Sequence, residues 1–300
     1  MEFVSITNTA PGQKPVVKYR LKDNKGSPLL PTELNRFTLA LYGPTTEYKT
    51  VIQESAAADS VQAGDAYAYT FKAAIPADAV GTFLVSSYAY RNAVLNPGTT
   101  KQMTQRDAAV NPMLYFTVTD AKAVERRKLV TNAKCNACHG DLAFHGGQRR
   151  DPQYCVACHN PPAQDTAQRP ADKLPSQTID FKFMIHRIHR GDELSREFTV
   201  YGYGKTAHTY NEVLFPGDLR NCEKCHEPGG YTVPSKGVLS TTAVREFYSP
   251  IPPNSSACLG CHDTMDAAAH TFLNTAPFGE SCGTCHGNSA DFSVARAHAR

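Results

Sequence analysis

Three hundred residues with a formal charge of +3 and ten cysteines suggest one large domain or two ordinary ones. No run of about 18 apolar residues occurs and mean hydropathy is −0.40, so no membrane-spanning helix is expected. No basic block is present, which argues against nucleic acid as a partner.

The first part, 1–121, holds no cysteine and alternates short β-rich runs with Pro, Gly and Asn. The runs are 3–8, 16–21, 37–42, 49–53, 67–71, 83–90 and 114–118. Val17-Lys18-Tyr19-Arg20-Leu21 shows the period of two, with Lys18 and Arg20 facing water, and Pro44, Pro76, Gly81 and Pro97 separate the runs. An all-β domain, split barrel or sandwich, is expected. It contains no nucleophile, metal cluster or phosphate loop, so a scaffold or docking role comes first. Tyr42, Tyr88 and Tyr90 could stack on a transient flavin, but such tyrosines are more often strand residues of a core.

The second part, 122–300, is ruled by one repeated motif, Cys-x-x-Cys-His, that uses every cysteine of the chain. The copies are Cys135, Cys138 and His139; Cys155, Cys158 and His159; Cys222, Cys225 and His226; Cys258, Cys261 and His262; Cys282, Cys285 and His286. Two thiols at this spacing form thioethers to one porphyrin and the histidine reaches its iron as the proximal ligand, so five covalently bound c-type haems are expected. A lone Cys pair could be half a zinc site, a redox pair or an iron–sulfur ligand set. Five pairs, each followed by histidine, set those alternatives aside. Roughly 35 residues per macrocycle is too few for an ordinary core as well, so a domain of short helices and much irregular structure is expected. Ionised propionates bring the total charge to about −2 when oxidised and about −7 when reduced.

Six histidines lie outside the motifs: His145, His186, His189, His208, His270 and His298. They suffice for a distal histidine on all five irons with one to spare, whereas only Met184 and Met265 offer methionine within this part. The segment 178–190 reads as a short helix, capped by Thr178 and ended by Gly191, with His186 and His189 on one face for two closely packed haems. His145 is too close to His139 to wrap the same porphyrin and is expected to reach a neighbour. His270 and His298 follow motifs by eight and twelve residues, and a ligand role for His298 would tie down the terminus. His208, in a Gly- and Tyr-rich loop, is the spare.

With those residues in view, the chain resembles the decahaem outer-membrane cytochromes of the OmcA/MtrC type, whose halves each pair a β-domain with a pentahaem domain. The most specific pieces are Cys-His-Gly-Asp-Leu-Ala-Phe-His-Gly at 138–146, Phe-Met-Ile-His-Arg-Ile-His-Arg-Gly at 183–191 and Phe-Pro-Gly-Asp-Leu-Arg-Asn-Cys at 215–222. The resemblance implies bis-histidine haems, with His145, His186, His189, His270 and His298 as distal ligands, and a split β-barrel ahead of them. The length matches one pentahaem half, of a longer cytochrome or of a short relative. A β-domain disulfide of the kind proposed to regulate flavin binding in some members is not possible here, because every cysteine belongs to a motif.

The expected function is electron transfer through five low-potential haems to extracellular acceptors: ferric minerals, soluble metals or flavins. Partners would be other multihaem cytochromes or an outer-membrane porin–cytochrome complex. The expected location is the extracellular side of the outer membrane, or alternatively the periplasm. Haem attachment needs export to an oxidising compartment and no secretory signal is visible, so a signal or larger N-terminal portion is expected upstream of Met1. A pentahaem reductase with one open iron, or a docking module for a partner cytochrome, are the competing readings. The first is disfavoured because all five motifs end in histidine and no distal ligand is lacking.

Overall fold

The computed structural model describes residues 1–233 and 237–299. The chain divides into two compact units, one formed by 1–127 with 135–157, the other by 128–134 with 158–300.

The first unit is built on two antiparallel sheets. Strands β1 (Glu2–Thr7), β2 (Val16–Arg20), β3 (Arg36–Gly43), β4 (Thr50–Ser55), β5 (Val61–Ala63), β6 (Ala66–Thr70), β7 (Thr82–Leu95), β8 (Met103–Ala108) and β9 (Met113–Thr117) follow in chain order. One sheet runs β1-β2-β6-β5; the other runs β4-β3-β7-β8, with β9 also paired to β7. Their facing sides share one apolar cluster: Val17, Tyr19 and Tyr69 from the first sheet, Phe37, Leu39, Leu41, Phe83 and Val85 from the second. The arrangement is a sandwich with no closed barrel, and alternate residues of β2 turn to water as the period of two requires.

Strand β3 departs from that alternation, since Phe37–Gly43 are all buried. Its outer face, and that of β7, are covered by the segment 145–154 of the same unit. Tyr42 meets Tyr154 edge-on at 5.8 Å with their hydroxyls 3.0 Å apart. The Arg149 guanidinium lies 3.4 Å over the Tyr88 ring. Asn111 donates to the carbonyls of Ser87 and Gln148 and accepts from Arg150 N–H at 2.9 Å. Tyr42 and Tyr88 are therefore engaged by the protein itself, and Tyr90 has the Arg106 guanidinium over its ring at 4.8 Å.

Helices carry most of the motifs: α1 (Asn132–His139), α2 (Pro152–Cys158), α3 (Phe181–Arg190), α4 (Pro253–Leu259), α5 (Met265–Leu273), α6 (Gly283–His286) and α7 (Val294–Ala297). In the second unit, α3, α4 and α5 share a small cluster of Phe183, Met184, Phe198, Val200, Ile251, Leu259 and Ala268. Short hairpins β10 (Thr199–Gly202) with β11 (Thr206–Thr209), and β12 (Thr275–Ala276) with β13 (Gly279–Glu280), complete it. Helix α3 ends at Gly191 as the sequence predicts: φ is +51° and an added Cβ would meet Val213 O at 2.0 Å, so only glycine fits. Its start differs from the prediction. Asp180, not Thr178, occupies the N-cap, and Thr178 accepts the Asp180 N–H at 3.2 Å. Among the described residues no helix is long and apolar enough to cross a membrane.

Candidate haem-iron centres

A helical turn explains why the motif works as a unit. Residues three and four apart share one helix face, so both thiols and the histidine of Cys-x-x-Cys-His point the same way. In three copies the closing bond is the same, with the histidine N–H donating to the first cysteine carbonyl at 2.8 Å: His226 to Cys222, His262 to Cys258 and His286 to Cys282.

The histidines outside the motifs come to meet those inside. His186 of α3 faces His226, His270 of α5 faces His286, and His298 beyond α7 faces His262, each pair with ring centroids 6.1 Å apart. Two imidazoles trans on one metal, at about 2 Å per bond plus about 1 Å from nitrogen to ring centre, stand about 6 Å apart. The 6.1 Å separation is wide enough for one metal to fit between the two rings and too wide for a hydrogen bond between them. Ring orientation is fixed from behind. Nδ1 lies at hydrogen-bond distance from a backbone carbonyl in His159 (Ile179 O, 2.9 Å), His189 (Ile185 O, 3.0 Å), His286 (Phe292 O, 2.8 Å) and His298 (Val294 O, 2.8 Å). With Nδ1–H donating there, Nε2 keeps its lone pair for a metal. Burial pushes His186 down to about 4, with His226 and His189 acting in the same direction, and also lowers His159, His226 and His262. The rings are thereby kept in the neutral form that ligates.

His189 packs edge-on to Phe215 at 5.7 Å, and His139 stands edge-on to Phe144 at 6.0 Å. His145 sits on a turn with φ +52°, followed by Gly146 and Gly147, also at positive φ. His208 occupies an exposed position on β11, opposite Val200.

The donor set fits haem better than bare metal. Each motif offers two thiols and one histidine on a single turn, whereas a structural zinc or an iron–sulfur cluster needs four converging protein ligands. Among the described residues no three His, Cys, Asp or Glu converge as a metal site. Residues 127–299 match the model of a family described as outer membrane cytochrome MtrC/MtrF-like, domains II/IV. The chain belongs to that family.

The cytochrome is 26% identical over 230 residues to the multiheme cytochrome MtrC of Shewanella baltica, and 28% identical over 194 residues to the high-molecular-weight cytochrome c of Nitratidesulfovibrio vulgaris. These alignments cover 73% and 61% of this chain but 27% and 31% of those proteins, so the chain spans about a third or less of their length. The crystal structure of MtrC from Shewanella baltica superposes with a TM-score of 0.53 at 21% identity, over 99% of this chain and 44% of that one, which establishes the shared fold. Membership makes this chain a multihaem c-type cytochrome of electron transport, in a family described by its outer-membrane members.

Several residues that hold the cytochrome's centres carry no motif signature. Gly260, inside the fourth motif, lets that turn close on α3: an added Cβ would stand 2.7 Å from His186 Cβ and 3.3 Å from Phe183 O. Glu280 reaches back to the start of α4, accepting from Asn254 N, Asn254 Nδ2, Ser255 N and Ser255 Oγ at 2.7–2.9 Å, so the hairpin before the fifth motif is fastened to the helix of the fourth. Segment 128–134 braces the third: Glu227 N–H donates to Leu129 O, Thr131 to Glu227 and Lys134 to Glu223 O. The Cys222 and Cys261 thiols, and those of Cys258 and Cys282, lie close enough to perturb one another. Motifs three, four and five are therefore neighbours in space.

Proposed function

We propose that this chain carries five c-type haems, each with two histidine ligands, and passes electrons along them towards extracellular acceptors such as ferric minerals, soluble metals or flavins. The observation that carries the reading is the set of three motif-to-outside histidine pairs at 6.1 Å. His145 and His189 are the ligands we assign to the two remaining irons, those of His139 and His159. In this reading residues 1–121 form the β-domain and 122–300 the pentahaem domain. Its partners are other multihaem cytochromes or a porin–cytochrome complex, and its site is the extracellular side of the outer membrane.

The bound haems would supply the one-electron chemistry. The chain's part is to space and orient them: paired thiols fix each macrocycle, carbonyl-anchored imidazoles fix the axial direction, and α3 serves two centres from adjacent turns. Two histidines on an iron leave no open position and lack the potential-raising methionine, which favours a low-potential carrier over a reductase. Intact mass and carbon monoxide titration of the reduced protein test the reading. It expects five haems and no carbon monoxide binding in the native state. A different count, or one haem that binds the gas, would reject it.

A further inference from the structure

Arg187 sits between the two histidines of α3 and is 1% exposed. Its Nη2 lies 3.1 Å from Glu246 Oε2 and its Nη1 3.7 Å from Asp263 Oδ2, while Nη1 also donates to Arg196 O at 3.3 Å. Arg196 reaches the same Glu246 oxygen at 2.8 Å. Asp263 is fixed by two backbone donors, Ser195 N at 3.0 Å and Arg196 N at 2.8 Å. The guanidinium carbon stands 4.8 Å over the Phe183 ring, so one side of the cluster is apolar. Two cations and two carboxylates cancel, and three of the four side chains are at most 4% exposed.

Stability alone explains such a cluster poorly, because a buried ion pair is often no better than apolar residues of the same shape. Its placement is more informative. Arg187 directly follows His186 and Asp263 directly follows His262, so the charges lie one residue from ligands of two centres. Burial raises the Cys261 thiol, and the guanidiniums of Arg190 and Arg187 act against it, so the Arg187 field reaches the fourth motif. A fixed charge in a weakly screened interior favours whichever oxidation state offsets it.

We propose that the buried Arg187–Glu246–Asp263 cluster is a charge-setting element that fixes the reduction potentials of the two flanking haems, those of His226 and His262. It rests on the five-haem, bis-histidine reading above. Arg187 is a positioning residue here: it acts on the irons through its charge and through the helix that presents His186.

The experiment is a potentiometric titration followed by visible spectra, on the full haem-loaded protein and on E246Q, R187Q and the double variant. Removing the Glu246 charge leaves an excess positive charge and favours the reduced state, so E246Q raises two of the five components. R187Q does the opposite, lowering the same two, and the double variant returns them towards the wild-type values. A shift on the order of tenfold in the redox equilibrium is expected, about 59 mV for a one-electron couple. Absence of a shift, shifts of one sign in both single variants, or an equal shift of all five components overturns the inference. Should R187Q fail to fold, E246Q and D263N decide: a rise in both with low-spin spectra supports it, and no rise overturns it. A wild-type protein with a haem count other than five, or with a high-spin haem, rejects instead the underlying reading.

Discussion

His186 and His208 are both histidines outside the motifs, yet only His186 faces a motif ring, His226 at 6.1 Å, while His208 is exposed on β11. His186→Ala should therefore open one iron, giving a high-spin component and carbon monoxide binding at one haem, whereas His208→Ala should leave the visible spectrum unchanged. The facing rings also differ in orientation: 35° between planes for His186–His226 and 81° for His270–His286. Near-perpendicular imidazoles interact with different iron d orbitals and leave them close in energy. Electron paramagnetic resonance of the oxidised protein should show distinct low-spin signals, with the broader g spread from the His270–His286 haem; identical signals would contradict the geometry. At this scale the sequence was legible where chemistry dictates spacing. It was silent on Gly260, Glu280 and Arg187, whose partners lie far along the chain, and a glycine between two motif cysteines is a signal only once α3 is known to pass beside it.

Elements were legible in proportion to their burial. All seven strand-like runs appear as strands, because each has a side in the core. Strand β8, Met-Thr-Gln-Arg-Asp-Ala, is almost wholly exposed and pairs with the outer half of β7, so it carries no alternation to detect; β5 is three residues long and mostly exposed. The buried outer face of β3 was equally hidden, since what covers it comes from more than 100 residues further on, as in Tyr154 against Tyr42. Two substitutions test how elements hold the centres. Gly260→Ala should press on His186 and cost about 1–3 kcal/mol in thermal unfolding, with a disturbed spectrum at one haem. Glu280→Ala removes the carboxylate that caps α4 and should cost about 0.5–2 kcal/mol while leaving the haem count unchanged.

Across the whole molecule, charge and core both depend on the cofactors. The sequence alone has an isoelectric point near 8.3, yet ionised propionates should make the loaded protein acidic, so isoelectric focusing of the oxidised form should place it below 7. In the second unit Leu273, on the helix of His270, and Phe292, whose carbonyl meets His286 Nδ1, are 81% and 66% exposed, apolar surface beside the His270–His286 pair that the polypeptide does not cover. The sheets of the first unit, by contrast, enclose their own apolar cluster. The measurement that bears most directly on the central claim is a spectroelectrochemical titration of the intact protein. Five low-spin haems, all titrating at potentials below zero, are predicted; a high-spin component, or a mean potential well above zero, would contradict the saturated bis-histidine chain.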